Sequence, residues 1–592
     1  MARRLFMALA IILALILSGC GWINPAPGTA ETQENGPEPE NEHVADPVRR
    51  VSQVGGFSVR YDPGSSLNPL TGTNHDNILV TFLMYESLFV LGENFEAEPN
   101  LAVPAERYTE DNITYTIAIR PGIAMSDGST LTADDVAYTL RQAMQRGRFV
   151  NRLRVIDNVF SDGELTVTIT LRYPSARLTS LLDVPIIKSG SSGSRVPPGT
   201  GPFIYTGDMR LVSFAGHRDY ENLPFNEVYL IECDDDDVTG LFSDGVLSLI
   251  WDDPAGTFDM RVNRPHDLRF YDTTTMQFLG FNTRNPALQN AEIRRAVGLA
   301  VDREYITETI MPGRALMAPI ALSPAYRLYD SMWEELEAWE REVLREHRRM
   351  HLLQEISMWR GLSERDPAAQ IRDQMLESLT NALYELDEYG AALFEDPLVE
   401  MSVRLAQAGV ADPGHVSYQY FFDIYSADYV RITIDFIVNE ENRHRVRAAH
   451  NIADTLRRNG FDITVRELPW EAFMHALQTG DFDMYYGGVT LGADFDFSPL
   501  LLPDGRLNFG NTGSAVFREY IDAFLTAQTD EEERQAAQRL CNVIRRNAPF
   551  IPILYQRHAV YTPQGAVSGT MPSQSNIFRG LTDWVVDLAM LT

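Results

Sequence analysis

Cysteine is scarce in this 592-residue chain, which contains three: Cys20, Cys233 and Cys541. No Cys-x-x-Cys pair and no Cys/His spacing typical of a metal site occurs, so the sequence predicts no disulfide framework, no structural metal and no cofactor. Cys233 ends an apolar, strand-like run, and Cys541 lies in a helical pattern. Both are expected to be small buried side chains.

Basic residues are also few. The chain has 82 acidic and 50 basic residues, a formal charge of −32, and Lys188 is its one lysine. Proteins that follow nucleic-acid phosphates need clustered basic side chains, whereas the arginines here are dispersed. We therefore exclude nucleic acid as a partner. At 44% apolar residues the chain is too apolar for disorder and too long for one core, which predicts two or more globular units.

Apolar runs long enough to cross a bilayer are missing. The stretch at residues 5–17 is uninterrupted, but its 13 residues fall short of the roughly 20 that a spanning helix needs. Arg3 and Arg4 precede it, and small residues follow it. A positive start, a short apolar segment and small residues before a cleavage site predict a secretory signal peptide.

The end of that stretch is more specific. The run Leu17-Ser18-Gly19-Cys20 resembles the lipobox of bacterial lipoproteins, in which the cysteine is acylated and becomes the mature N-terminus. The resemblance implies a lipoprotein signal peptide over residues 1–19, with Cys20 lipidated. Residues 20–50 are rich in Pro, Glu, Asn and Gly and predict a disordered tether. We expect an extracytoplasmic protein anchored to the cell membrane, in the periplasm if the host has an outer membrane; a plain signal peptide cut elsewhere is the alternative.

Common catalytic motifs are absent too. The sequence has no G-x-S-x-G elbow, no H-E-x-x-H and no P-loop, and its 11 histidines are scattered. His347, His351 and Glu355 share a helical face, which we interpret as a solvated surface rather than a metal site because the stretch is so highly charged. The sequence predicts that the protein is not an enzyme. A secreted peptide hydrolase is the remote alternative.

Strand and helix patterns alternate along the body and predict an α/β fold. Period-two strands are indicated at residues 115–120 and 165–171, and a helix with an acidic first turn follows Thr132. One segment departs from the alternation. Residues 332–388 have apolar side chains at steps of three and four, broken near 361–367, which predicts an αα-hairpin.

Seven short motifs lie along the body of the chain: Leu67-Asn-Pro-Leu, Glu98-Pro-Asn-Leu-Ala, Pro121-Gly-Ile-Ala-Met-Ser-Asp-Gly, Leu131-Thr-Ala-Asp-Asp-Val, Gly199-Thr-Gly-Pro-Phe, Phe281-Asn-Thr and Gly480-Asp-Phe-Asp-Met. Each motif alone is weak. Their order and spacing over residues 52–560, however, resemble one family: the extracytoplasmic solute-binding proteins (family 5, oligopeptide, dipeptide and nickel type) of ABC importers.

The resemblance implies a two-lobe, periplasmic-binding-protein-like (type II) clamp. The chain would cross between the lobes near residues 274–281 and again near 551–555. The helical insertion falls where family members usually lack one, so the resemblance says nothing about its role. The implied parts are lobe I at 51–93, 195–281 and 550–592, an extra subdomain of lobe I at 94–194, lobe II at 282–549, and the hairpin insertion in lobe II at 328–396.

The implied function is the capture of oligopeptides through their backbone and N-terminus, followed by delivery to the transmembrane subunits of an ABC permease. A monomer is expected. In the family an aspartate within an Ala-Asp-aromatic run binds the peptide ammonium. Here that run is Ala493-Asp494-Phe495, but Asp496 could occupy the same position because two residues are added before the motif. Alternatively, both aspartates cap the turn before Pro499.

Other ligand-binding residues are also implied by the resemblance. Gly488, Val489 and Thr490 would belong to one peptide-facing strand, although Val489 stands where relatives commonly have tryptophan. An arginine that meets the ligand carboxylate in some peptide binders is missing near Tyr486. Thr73, Asn74 and His75, before the first helix, are also implied. Trp470 would be an aromatic residue of the ligand cavity, and a role in the core is the alternative. Tyr486 is implied as well, but it alternates with Tyr485 along a strand, so at most one of the two rings faces the cleft.

Other cargoes remain open at this point. A nickel chelate or an oligosaccharide could be bound by the same fold, and His75 and His475 would be the residues to examine for a metal. A sensory or scaffold lipoprotein, with the hairpin as its partner surface, is a further alternative.

Overall fold

The computed structural model of the protein describes residues 56–256, 260–361, 363, 370–390, 392, 400–401, 404–405, 410–411, 420–423 and 428–591. The expected signal peptide, Cys20 and the tether therefore lie outside the described residues. Within the described ranges, no helix is both long and apolar enough to cross a membrane.

The strands and helices alternate along the chain. The strands are β1 (Phe57–Arg60), β2 (Phe89–Leu91), β3 (Ala97–Pro99), β4 (Thr114–Ala118), β5 (Ile156–Ser161), β6 (Thr166–Leu171), β7 (Phe203–Tyr205), β8 (Arg210–Ser213), β9 (Glu227–Ile231), β10 (Ile250–Asp252), β11 (His266–Phe281), β12 (Ala315–Met317), β13 (Val410–Ala411), β14 (Tyr420–Asp423), β15 (Asp428–Arg431), β16 (Thr433–Asn439), β17 (Asp462–Leu468), β18 (Met484–Thr490), β19 (Phe550–Pro563), β20 (Val567–Ser568) and β21 (Val585–Val586). The helices are α1 (His75–Thr81), α2 (Ala133–Gln145), α3 (Val238–Ser243), α4 (Ala291–Leu299), α5 (Tyr329–Gly361), α6 (Arg372–Tyr389), α7 (Arg443–Arg458), α8 (Trp470–Thr479), α9 (Ser498–Leu501), α10 (Phe517–Thr526), α11 (Asp530–Asn547) and α12 (Leu588–Leu591).

The first lobe contains a four-stranded sheet in the order β1-β9-β8-β7 and a three-stranded sheet in the order β4-β6-β5. Helix α2 packs on the second sheet and begins at a capping box, in which Thr132 and Asp135 satisfy each other's backbone N–H groups. One apolar core joins both sheets to the C-terminal segment, as the contact between Phe57 and Trp584 illustrates. The C-terminal residues thus belong to the first lobe.

A mixed sheet in the order β10-β19-β11-β18-β16-β17, with β12 also paired to β19, runs from the first lobe into the second. Two separate apolar clusters cover its faces, one containing Tyr485 and Phe550 and the other containing Phe436 and Ile452. Because both faces are covered, the central strands are apolar on both sides rather than alternating.

Two long strands connect the lobes. The first half of β11 pairs with β19 in the first lobe, and its second half pairs with β19 and β18 in the second. The pairing breaks register between Asp272 and Met276. In this break the Thr274 hydroxyl donates to the Leu491 carbonyl at 2.7 Å. The irregular segment begins two residues before the crossover expected from the sequence, and the whole arrangement confirms the predicted α/β two-lobe clamp.

The helical hairpin consists of α5 and α6. Leu344 and Leu352 of α5 pack against Leu386 of α6. Near its N-terminus, α5 also contributes Met332 and Leu336 to the core of the second lobe. The side chains of His347 and His351 lie outside what the structure describes, so the helical-face interpretation stays a prediction.

Candidate functional site

A cleft of about 780 Å³ lies between the extra subdomain and the segment that follows β18. Both sides of the cleft contribute basic and acidic residues to its lining. Representative lining residues are Arg148, Arg152, Thr490, Asp494, Asp496 and Gln574. The cleft can therefore hold a solute that carries charges of both signs.

Asp494 lines this cleft. Its Oδ1 accepts a long hydrogen bond of 3.4 Å from the Asp496 backbone N–H, and this oxygen lies 2.3 Å from where a Cβ on Gly492 would stand. Because residue 492 is a glycine, the Asp494 carboxylate can lie over the backbone of that residue. Burial, and then the charge of Asp496, raise the pKa of Asp494 to about 7. A carboxyl group held in this way gains most from a cationic ligand.

The residue after Asp494 fixes its position. Phe495 is fully buried and has a φ of 53°, a value that is uncommon for a residue with a side chain. Its ring makes edge contacts with Phe95 and Tyr326, at centroid distances of 5.6 and 5.5 Å. The buried ring thus holds the turn that presents Asp494 to the cleft.

Asp496 has a different role in the turn. Its Oδ1 accepts from the Ser498 backbone N–H at 2.9 Å, directly before α9. This is the turn chemistry that the sequence left open for both aspartates. Both side chains line the cleft, but the stronger backbone hydrogen bond belongs to Asp496 and leaves Asp494 better placed to meet a ligand.

Five arginines line the cleft, and two of them, Arg148 and Arg152, stand four residues apart in the extra subdomain. Arg152 is paired with Asp183 and also donates to the Leu181 carbonyl at 3.0 Å. Arg148 lies over the ring of Phe149, 4.6 Å from its centroid, and donates to a backbone carbonyl. Burial lowers the pKa of Arg148 to about 10 and that of Arg152, with a contribution from Arg148, to about 9.

A second group of residues lines the junction of the lobes near the start of α1. The ring of His75 lies 4.0 Å from that of Trp251, which in turn contacts His558 at 5.1 Å. The Trp251 indole N–H donates to the Tyr271 hydroxyl at 2.6 Å. His75 is exposed. Desolvation by the surrounding protein, followed by the charges of His558 and Arg148, lowers its pKa. His75 is therefore neutral at pH 7.

Arg445 reaches this junction from the second lobe. It stands in the first turn of α7, which Asn442 caps by accepting from the Arg445 backbone N–H at 3.0 Å. Its Nη2 lies 2.4 Å from where a Cβ on Gly488 would stand, and its Nε is buried without a hydrogen-bond partner among the described residues. Burial lowers the pKa of Arg445, while Tyr486 and Asp253 act in the opposite direction.

The strand beneath Arg445 has an open edge. β18 pairs with β11 along its whole length, but its pairing with β16 is confined to Met484 and Tyr485. From Tyr486 to Thr490 the second edge of β18 has no strand neighbour within the described part of the chain. An extended peptide could pair with such an edge.

The two tyrosines predicted near the cleft are both buried. The Tyr486 hydroxyl donates to Gln277 at 2.9 Å, and Tyr485 lies in the core of the second lobe. Their side chains point to opposite faces of the sheet, and both faces are covered. Val489 belongs to the same core, and Thr490 shares a hydrogen bond with Thr275. Thr73 and His475 are exposed, the Asn74 side chain caps α1, and Trp470 packs on Phe473 in the second lobe.

Sequence reasoning missed Arg148, Arg152, Arg445, Trp251 and His558. The sequence does contain a signal for the position of Arg445. Asn442 is a helix-capping residue that follows strand β16, so the first turn of α7, which contains Arg445, lies at the carboxyl end of that strand. Nothing comparable marks Arg148 among 50 basic residues. In the described part of the chain, no group of three His, Cys, Asp or Glu side chains could hold a metal ion.

Part of the chain is similar in sequence to known proteins. Residues 96–344 match the family model of bacterial extracellular solute-binding proteins, family 5. Protein XP55 of Streptomyces lividans is 29% identical over 274 residues, which cover 42% of this chain and 48% of XP55. Oligopeptide-binding protein AppA of Bacillus subtilis is 21% identical over 345 residues, covering 54% and 61%. The chain thus spans about half to three fifths of the length of these relatives.

The fold has close counterparts among solved structures. The structure of AppA from Bacillus subtilis in complex with a nonapeptide superposes with a TM-score of 0.56 at 16% sequence identity, covering 90% of this chain and 99% of AppA. At this identity the likeness shows the fold. It does not extend to the roles of the helical hairpin or of the cleft residues.

Proposed function

We propose that this chain, whose residues 96–344 match the family model of bacterial extracellular solute-binding proteins, family 5, captures oligopeptides outside the cytoplasm and delivers them to an ABC permease. The observation that carries the proposal is the open edge of β18, which has a charged group of each sign nearby. Asp494 follows the strand in sequence, and Arg445 lies over Gly488. An extended peptide has the same three features: an ammonium, a backbone and a carboxylate.

The peptide ammonium would bind Asp494. This carboxyl group has a raised pKa because it is buried and lies beside Asp496, so its ionised form is unfavourable in the empty protein. An ammonium in contact with it would restore the ionised form. Charge-assisted hydrogen bonds of this kind are about twice as strong as neutral ones.

The peptide backbone would pair with the edge of β18 between Tyr486 and Thr490. Backbone pairing is independent of side-chain identity, and it therefore suits a protein that binds many sequences. The peptide carboxylate would meet Arg445, whose Nε is buried without a partner among the described residues. Arg445 takes the place of the carboxylate-binding arginine that the sequence lacks near Tyr486.

Closure of the lobes would exclude water from these contacts. β11 and β19 connect the lobes, and their register break at Asp272–Met276 supplies a segment that can bend. We propose the domain boundaries given by the sequence, with lobe I at 51–93, 195–281 and 550–592. Anchoring by a lipid on Cys20, a monomeric state and the absence of catalysis are parts of the same proposal.

Native mass spectrometry of protein purified without added ligand tests the function, since a closed clamp can retain its cargo. We expect a peptide mass above that of the free chain and the same peptide, uncleaved, after denaturation. A pool of short peptides should raise the thermal midpoint of the purified protein. Retained nickel chelate or sugar, with no response to peptides, would contradict the proposal, and cleaved peptide would identify a hydrolase.

A matched pair of variants identifies the ammonium-binding residue. Asp494→Asn should remove most of the thermal shift caused by peptides, because an amide carries no charge to meet the ammonium. Asp496→Asn should keep it, because an amide oxygen can still accept from the Ser498 N–H. The reverse result would assign the anchor to Asp496.

A further inference from the structure

Arg148 is a cation in the cleft without an anionic partner. It lies on the wall of the cleft that the extra subdomain contributes, and no carboxylate of the described residues forms an ion pair with it. Its contacts are the ring of Phe149 and the Pro69 carbonyl, to which its Nε donates at 3.3 Å. Neither contact neutralises its charge.

Arg152, four residues later, offers a comparison within the same wall. Its guanidinium is paired with Asp183 and holds the Leu181 carbonyl through two N–H groups, at 3.2 and 3.0 Å. Arg152 therefore has a structural partner for its charge, and Arg148 does not. A guanidinium that is enclosed by protein without a counter-charge is unfavourable unless a ligand supplies one.

Arg148 lines the same cleft as Asp494. The charge of Arg148 lowers the pKa of His75 and that of Arg152, so both residues are within electrostatic reach of it. A peptide whose ammonium binds Asp494 would therefore present its side chains to a cleft that also contains the Arg148 guanidinium.

The charges of a simple peptide leave Arg148 unmatched. If the ammonium binds Asp494 and the terminal carboxylate binds Arg445, both charges of the peptide termini are used. Asp253 is also near enough to raise the pKa of Arg445, so Arg445 has a partial counter-charge within the protein. Arg148 has none among the described residues.

We propose that the protein selects acidic peptides, in which a side-chain carboxylate binds Arg148 while the termini bind elsewhere in the cleft. This inference rests on the proposed function and specifies its substrate class. Arginine binds a carboxylate with two parallel N–H groups, so a glutamate or aspartate side chain suits it better than an amide.

The test compares two pools of alanine peptides, two to six residues long. Each peptide of one pool contains a single Glu where its counterpart in the other contains Gln, and the affinities of the purified full chain are measured by isothermal titration calorimetry. We expect at least one Glu peptide to bind about ten-fold more tightly than its Gln counterpart. Arg148→Gln should reduce this preference to less than about two-fold while Gln peptides keep their affinity.

Arg172→Gln is the matched control, because Arg172 belongs to the same subdomain, is 55% exposed and pairs with Asp157, which is 58% exposed. It should keep the preference for Glu peptides. Equal binding of both pools by the unchanged protein would overturn the acidic-peptide inference and leave the proposed function in place. A preference that survives in Arg148→Gln would also overturn it, and binding of neither pool would overturn both proposals.

Discussion

Nη2 of Arg445 occupies the space above Gly488, 2.4 Å from the point where a Cβ on that residue would stand. The guanidinium lies over the face of β18 at this position because residue 488 has no side chain. A small change at Gly488 should therefore move Arg445 without disturbing the fold.

We predict that Gly488→Ala lowers peptide affinity by about ten-fold or more, because the added methyl displaces the guanidinium that meets the ligand carboxylate. The thermal midpoint of the free protein should change little, since the clash involves the end of a flexible side chain. Calorimetric titration with a peptide from the retained cargo measures the affinity. Gly240→Ala, where an added Cβ meets no atom within 4 Å, is the control, and unchanged affinity in Gly488→Ala would argue against a ligand role for Arg445.

The raised pKa of Asp494 predicts that peptide binding releases protons. With a pKa of about 7, Asp494 is mostly protonated in the empty protein at pH 6, whereas a bound ammonium favours the ionised form. We expect release of close to one proton per peptide at pH 6 and weaker binding as the pH falls below 7. Titration calorimetry at pH 6 in two buffers of different ionisation enthalpy measures the protons released.

Two variants test whether Asp494 is the source of the released proton. Asp494→Asn should abolish the release together with most of the binding. Asp504→Asn, a change of the same kind at an exposed residue lining the same cleft, should leave both as they are. Binding at pH 6 without proton release would mean that Asp494 does not meet the ammonium.

The lipid anchor makes a separate prediction. Cys20→Ala should move the protein from the membrane fraction to the soluble extracytoplasmic fraction and abolish labelling by a fatty acid, because one acylated cysteine is the proposed attachment. Cys233→Ala is the control, since this free, half-buried thiol lies within the folded body. Membrane association that persists in Cys20→Ala would contradict the lipobox interpretation.

Local chemistry explains which parts of the fold could be predicted. The acidic first turn after Thr132 lies next to the helix that it begins, so α2 starts where the sequence predicts a helix. The hairpin was visible for the same reason: α5 ends at Gly361, where the apolar period breaks.

Contacts between distant segments could not be predicted in this way. Arg445 and Gly488 lie 43 residues apart, and Arg148 reaches the cleft from another subdomain altogether. The alternation of Tyr485 and Tyr486 suggested that one ring could face the cleft, yet both are buried because β18 is covered on both faces. The positive φ of Phe495 likewise depends on the rings that surround it.

A buried ion network between the extra subdomain and the second lobe gives the last prediction. Glu533 of α11 accepts from Arg177 at 2.9 Å and from Arg327 at 2.5 Å, and it also binds the Tyr326 hydroxyl. The side chains of Arg177 and Glu533 are 12% and 11% exposed. Removing one charge from such a pair leaves the other enclosed without its partner, which commonly costs about 3 kcal/mol.

We therefore expect Glu533→Gln to lower the free energy of unfolding by about 2 to 4 kcal/mol in urea titrations. Glu531→Gln, on an exposed carboxylate that pairs with Arg534 one turn away on the same helix, should change it by less than about 0.5 kcal/mol. Equal effects of the two variants would mean that the network carries no special stability. A large effect of Glu533→Gln alone would show that the extra subdomain is held to the second lobe by this carboxylate, because Arg177 and Glu533 belong to different parts of the clamp.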